Sequence, residues 1–119
     1  MITVSIRAAL GAALAFSSVL ATAGDTLTAA SERLRDGKKA YDAICARCHE
    51  SGVDGAPVTG NKADWEGRSN LWEAMLFEHA DKGYIMMPAR GNADYATEYD
   101  AEAAAEFMLT ITHPELPRD

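Results

Sequence analysis

The run Cys45-Ala46-Arg47-Cys48-His49 places two thiols and an imidazole within five residues. Near the end of a helix, cysteines three apart project to the same side. Two such thiols can form thioethers with the two vinyl groups of one porphyrin, and the next residue, His49, is then held under the iron as proximal ligand. This is the Cys-x-x-Cys-His attachment sequence of c-type haem. Two other chemistries use the same pair. A dithiol redox motif wants a βαβ context, and no strand pattern of useful length occurs. A zinc site needs a second ligand pair, and Cys45 and Cys48 are the only two cysteines in the chain. The expected cofactor is therefore one covalent haem c.

A ligand on the opposite side of the iron would come from His79, His113, Met75, Met86, Met87 or Met108. Met75 and Met108 sit on apolar stripes and read as core. His79 lies on the stripe of a helix, and His113, beside Pro114, reads as a solvated histidine. Met86 and Met87 lie in an irregular segment. Adjacent side chains on an extended backbone point opposite ways, so only one of the two can reach a flat cofactor. Pro88 biases Met87 toward extended geometry.

The elements that must carry these groups are helical. Leu34, Gly37, Tyr41, Ile44, Cys45 and Cys48 recur at three-and-four spacing, predicting a helix over about 29–47, started by Thr28 or Ser31. Three glycines and a proline make 51–60 a loop. One short turn of helix is expected within 61–68, carrying Trp65. A second long helix is expected over 70–82, with the stripe Trp72, Met75, Leu76 and His79 and a stop at Gly83. After a loop over 84–96, a third helix starts at Thr97, with Asp100 completing a variant capping box. Its buried face would be Ala103, Ala104, Phe107, Met108 and Ile111. The fold class is all-α, with three main helices and short helical turns.

Residues 1–23 read as a secretory signal. Arg7 and the terminal amine precede a small and apolar run from Ala8 to Leu20, and Ala21-Thr22-Ala23 fits cleavage before Gly24. The run is too short to cross a bilayer. The expected mature domain is 24–119, exported to the periplasm and without a transmembrane span. The net charge of −7 argues against nucleic acid as a partner. A small domain of this kind gains stability from a cofactor.

The ordered set Gly37-Lys38-Lys39-Ala40-Tyr41, Cys45 to His49, Gly55-Ala56-Pro57, Gly60, Trp65 with Arg68, Gly83, Met87 to Asn92 and Ala104 to Met108 resembles class I bacterial cytochromes c, most of all the cytochrome c5 group. The resemblance implies a small cytochrome c fold around one haem. It implies Met87 as distal ligand and the Pro57 carbonyl as acceptor of the proximal histidine's N–H. It also implies a close crossing of the first and last helices at Gly37, facing Phe107, with Tyr41 alongside. Trp65 and Arg68 are candidates for hydrogen bonds to the haem propionates. Many members carry a cysteine pair after the Met-Pro segment. Here that stretch reads Asn92-Ala93-Asp94-Tyr95, so the loop must be held otherwise.

His and Met ligation raises a haem potential relative to two histidines. An apolar wall of Trp72, Leu76, Ile85 and Phe107 would act in the same direction. The implied function is one-electron transfer between redox proteins, without bond-making at a substrate. The alternatives are a fixed haem subunit of a larger periplasmic redox enzyme and an open-site haem sensor or enzyme. Partners would present basic patches to the acidic surface, with Glu98, Asp100, Glu102 and Glu106 as candidate steering charges.

Overall fold

The computed structural model describes residues 17–66, 68 and 73–116. Five α-helices are present among them: α1 (Ser17–Ala40), α2 (Ala46–His49), α3 (Lys62–Trp65), α4 (Glu73–Lys82) and α5 (Glu98–Thr112). Single 3₁₀ turns lie at Val53–Gly55 and Ala89–Asn92. The described residues contain no β-strand, only an isolated bridge between Tyr84 and Met87. The class is all-α, as the periodicity predicts.

The first helix differs from expectation at both ends. It starts by Ser17 rather than near Ala29. Thr28 and Ser31 do not cap it; their hydroxyls donate backward to the Gly24 and Thr28 carbonyls at 2.9 and 2.8 Å, as they do inside a helix. At the other end, Tyr41–Cys45 is a π-helical turn, closed by the Ala46 N–H on the Tyr41 carbonyl, and α2 follows without a break. One extra residue in a turn shifts everything after it by about 100° around the axis. The turn thus separates the register of the packing stripe from that of the two thiols.

The α1–α5 crossing organises the core. Gly37 is buried against α5; a Cβ there would sit 2.7 Å from the Ala103 carbonyl carbon and 3.3 Å from Phe107 Cβ. Removing the side chain lets the two backbones touch, as the resemblance implies. Beside the contact, the Tyr41 and Phe107 rings lie 5.4 Å apart at 49°. Such a pair adds about 0.5–1.5 kcal/mol beyond its buried area. Ala40, Tyr41, Ala104 and Met108 form one buried cluster and Ile44, Ala93 and Ala96 another, with Cys45 packed against both.

Arg33 ties the helices on the outside. Its guanidinium reaches Glu106 at 2.5 Å and Glu102 at 3.5 Å, and lies over the rings of Phe77 and Tyr99. These carboxylates of α5 are therefore paired within the chain, contrary to a role as free steering charges. Asp100 is also occupied: it accepts the Thr97 backbone N–H at 2.9 Å while the Thr97 hydroxyl accepts the Asp100 N–H at 3.2 Å, completing the expected capping box. The Thr97 N–H first, and then the Thr97 hydroxyl, which donates to Asp100 Oδ2 at 2.7 Å, hold the Asp100 carboxyl below its ordinary range.

Three expected core positions are corrected. Ile111 is exposed, and Thr112, one residue on, is buried instead. It continues the Ala101, Ala104, Met108 row, and its hydroxyl donates to the Met108 carbonyl while accepting the Gly60 N–H at 3.0 Å. Met75 on α4 is exposed. Ile85, expected in an apolar wall, is 85% exposed and has a φ of 53°, which is strained for a β-branched residue. Trp72 and residues 70–71 lie outside the described residues.

Two outcomes test this packing. Gly37→Ala gains up to about 1 kcal/mol of helix propensity but forces a methyl into backbone, costing about 1–3 kcal/mol; denaturant titration of the holoprotein should show net destabilisation. Thr97→Ala should lower stability by about 1 kcal/mol at neutral pH. Because the folded carboxyl of Asp100 is depressed, its contribution is present above the unfolded pKa and lost as pH falls through the folded one. The gap between wild type and Thr97→Ala should narrow in acid by the part due to the Thr97 hydroxyl on Asp100 Oδ2, leaving the part due to the Asp100 N–H on the Thr97 hydroxyl.

Candidate functional site

The site is assembled where α1, its π turn and α2 meet the loop over 50–60. His49 ends α2 and is only 7% exposed. Its Nδ1 lies 2.9 Å from the Pro57 carbonyl oxygen. A carbonyl only accepts, so the proton sits on Nδ1 and the Nε2 lone pair is left for a Lewis acid.

A relay of local contacts holds that carbonyl in place. The Thr59 N–H donates to the His49 carbonyl at 2.8 Å, closing the loop on itself. Gly52 and Gly55, with φ of 80° each, supply its left-handed turns. Both backbone groups of Val58, next to Pro57, are pinned by α3: its N–H donates to Asp64 Oδ2 at 3.0 Å, and its carbonyl accepts the Trp65 indole N–H at 2.9 Å. The Trp65 ring stacks beside His49, with centroids 6.0 Å apart at 18°. The single indole donor, expected to reach a propionate, is thus directed at the backbone that positions Pro57. Arg68 is exposed, and with Asp64 and Ala56 it lines a cavity of about 360 Å³ over the same loop. Asp64 had no signal in the sequence beyond its place three residues after Asn61, which caps α3 by accepting the Ala63 N–H.

Cys45 and Cys48 are unpaired and half-buried. Burial pushes the Cys45 thiol up to about 11, against a smaller lowering by Arg47. Among the described residues no three His, Cys, Asp or Glu side chains converge as a metal cage.

The segment that carries Met86 and Met87 folds as a tight turn. Tyr84 and Met87 exchange both backbone hydrogen bonds, each at 2.9 Å, with Ile85 and Met86 at the tip. Met86 is consequently 81% exposed, whereas Met87 is half-buried. Gly83, at φ 84°, ends α4 by donating to the His79 carbonyl; a Cβ there would meet Met87 O at 2.9 Å. His79 stacks flat on Tyr84, centroids 3.9 Å apart, so its ring is engaged by an aromatic neighbour. His113 is not a solvated residue: its side chain is largely buried, with Nδ1 3.4 Å from Glu115.

These residues fit a porphyrin. Two thiols leave one helical turn, an oriented imidazole follows them, and Cys45, Trp65 and Phe107, packed against the core, are only partly buried. No large side chain among the described residues is fully buried. A flat apolar group among them would cover the faces that the polypeptide leaves open.

Comparison with known proteins agrees. The model of the family described as cytochrome c oxidase, cbb3-type, subunit III matches residues 32–108. The chain is 39% identical over 77 residues to cytochrome c-555 of Chlorobaculum tepidum, covering 61% of this chain and 71% of that protein. It is 32% identical over 79 residues to cytochrome c-551 of Halorhodospira halochloris, covering 63% and 96%. Among solved structures, a chain from the crystal structure of an electron transfer complex of nitrite reductase with cytochrome c superposes with a TM-score of 0.59. It is 34% identical, and the match covers 65% of this chain and 94% of that one. With the oriented histidine and paired thiols already in place, these matches mean that the chain belongs to this family of c-type cytochromes, whose cofactor is covalently bound haem c.

Proposed function

We propose that the chain is a periplasmic one-electron carrier with a single haem on Cys45 and Cys48, ligated by His49 Nε2 and the Met87 sulfur. The observation that carries this reading is the 2.9 Å contact of His49 Nδ1 with Pro57 O, which aims a lone pair out of an otherwise buried ring. The choice of Met87 over Met86 is supported by the turn that leaves Met86 at its tip. The haem supplies a one-electron couple. The neutral thioether of Met87 and the apolar flank of Phe107 and Met108 favour the less charged ferrous state and raise the potential. With His49 and Met87 both holding the iron, no position would remain for a substrate, so the residues support electron exchange.

Residues 1–23 are proposed to be removed on export. In support, residues 24–32 of α1 are all exposed and the family match begins at residue 32. No helix among the described residues is long and apolar enough to cross a membrane. The finer kinship to the cytochrome c5 group rests on the motif order alone.

Partners are proposed to be redox proteins with basic docking patches, drawn by the excess of acidic over basic residues. Since Asp100, Glu102 and Glu106 are engaged within the chain, the steering charge falls to exposed acids such as Glu50, Asp54, Asp94 and Glu98. A second reading, a fixed haem subunit of a larger redox enzyme, is favoured by the subunit named in the matching family. A subunit would co-purify with its enzyme through high salt, and a carrier would not.

The near-infrared band of methionine-to-iron charge transfer decides the ligand. It should be present in the oxidised wild type and in Met86→Ala and absent in Met87→Ala. Survival in Met87→Ala would move the ligand elsewhere. Electron exchange with a basic redox protein should slow as ionic strength rises, and a rate indifferent to salt would remove the steering argument.

A further inference from the structure

The segment following Met87 holds an unfavourable backbone. Arg90, Gly91 and Asn92 have φ of 49°, 59° and 61°, three successive residues in the left-handed region, two of them not glycine. An isolated loop does not stay in such a conformation unless its surroundings hold it. The local hydrogen bonds, Gly91 N–H to Pro88 O and Ala93 N–H to Arg90 O, are ordinary turn bonds.

The external ties are two arginines. Arg90 Nε donates to Asp81 Oδ1 at 2.5 Å and its Nη1 to the Ala96 carbonyl at 2.9 Å. Asp81 belongs to the last turn of α4 and its side chain is only 11% exposed. Several ion pairs of the chain, such as Lys38–Asp42, join exposed groups, whereas Arg90–Asp81, like Arg33–Glu106, is partly buried. Arg47 comes from inside the Cys-Ala-Arg-Cys-His turn and donates to the Gly91 carbonyl. Gly91 also rests against Ile44, whose Cγ2 would lie 2.8 Å from a Cβ at that position. The segment is thus fastened to α4 on one side and to the thiol-bearing turn on the other.

We infer that Arg47, Arg90 and Asp81 are positioning residues for the distal ligand: they strap the Pro88–Asn92 segment so that the Met87 sulfur resists displacement by competing ligands. This rests on Met87 being that ligand. Arg47 links the thiol-bearing turn directly to the segment that follows Met87, since it stands between Cys45 and Cys48 in sequence and donates to the Gly91 carbonyl. Losing a tie leaves the thioethers and His49 in place and makes detachment of the sulfur easier.

The test is a titration of the oxidised, full holoprotein with imidazole, followed by loss of the near-infrared band, on wild type, Asp81→Asn, Arg47→Gln, Arg90→Lys and Lys38→Gln. Removing a charge-assisted tie should tighten apparent imidazole binding about tenfold in Asp81→Asn and Arg47→Gln. Arg90→Lys, which keeps the charge toward Asp81 but loses the fork, should fall between. Lys38→Gln should match wild type. A merely structural role would lower the denaturant midpoint while leaving imidazole affinity at the wild-type value, and that result overturns the proposal. If Asp81→Asn does not accumulate, the two arginine variants decide alone. If the wild type itself lacks the band, the Met87 reading fails and this one with it. A band present in wild type, lost in Met87→Ala and equally displaceable in every strap variant sinks the strap alone.

Discussion

At Gly37 two helix backbones touch, and the rest of the domain is arranged around that contact. A side chain there would have to occupy the Ala103 carbonyl, so the separation of α1 and α5 is set by main chain. Small residues at Ala40, Ala103 and Ala104 keep the approach open along the crossing, and Tyr41 with Phe107 closes it. The thiol-bearing turn begins one helical turn after the contact. The 50–60 loop returns to the C-terminal end of α5 through the Gly60 N–H on the Thr112 hydroxyl. Both routes to the haem site are therefore measured from one close approach.

The site itself depends on polar groups acting on backbone. Asp64 and Trp65 fix Val58, which fixes the neighbouring Pro57 carbonyl, which sets the tautomer of His49. Each bond is worth only about 1 kcal/mol net, but the chain of them decides which imidazole nitrogen faces outward. On the far side, Arg47, Arg90 and Asp81 do for a strained loop what Asp64 and Trp65 do for Pro57.

What was legible in the sequence was local. The five-residue thiol–imidazole run, the Thr97–Asp100 capping box and the Gly83 stop are all set by neighbours within a few positions, and each stands where its spacing places it. The π turn left no mark: Tyr41-Asp42-Ala43-Ile44-Cys45 contains neither glycine nor proline, and its widening reflects packing on two clusters at once. The exchange of Ile111 for Thr112 arises because a hydroxyl can be buried when it finds both a donor and an acceptor, which depends on the distant Gly60. Periodicity favours the isoleucine and cannot register that partner. Ile85 failed as a wall residue for a similar reason, since the reciprocal Tyr84–Met87 bonds push residues 85 and 86 to a tip. The acidic face of α5 looked free only because Arg33, about seventy positions away, is not visible in a helical wheel.

The widened turn between Tyr41 and Cys45 works like a phase shifter in a drive shaft. Loss of a single residue there would still leave an unbroken helix, with hydrogen bonds complete and the crossing intact, but the sulfurs and His49 together would leave it about a quarter-turn away from their present place relative to α5. Such a chain would fold acceptably by every criterion except the one that matters to its pigment. The apparatus that fastens the porphyrin, rather than the folding of the helices, would be the first to detect the fault.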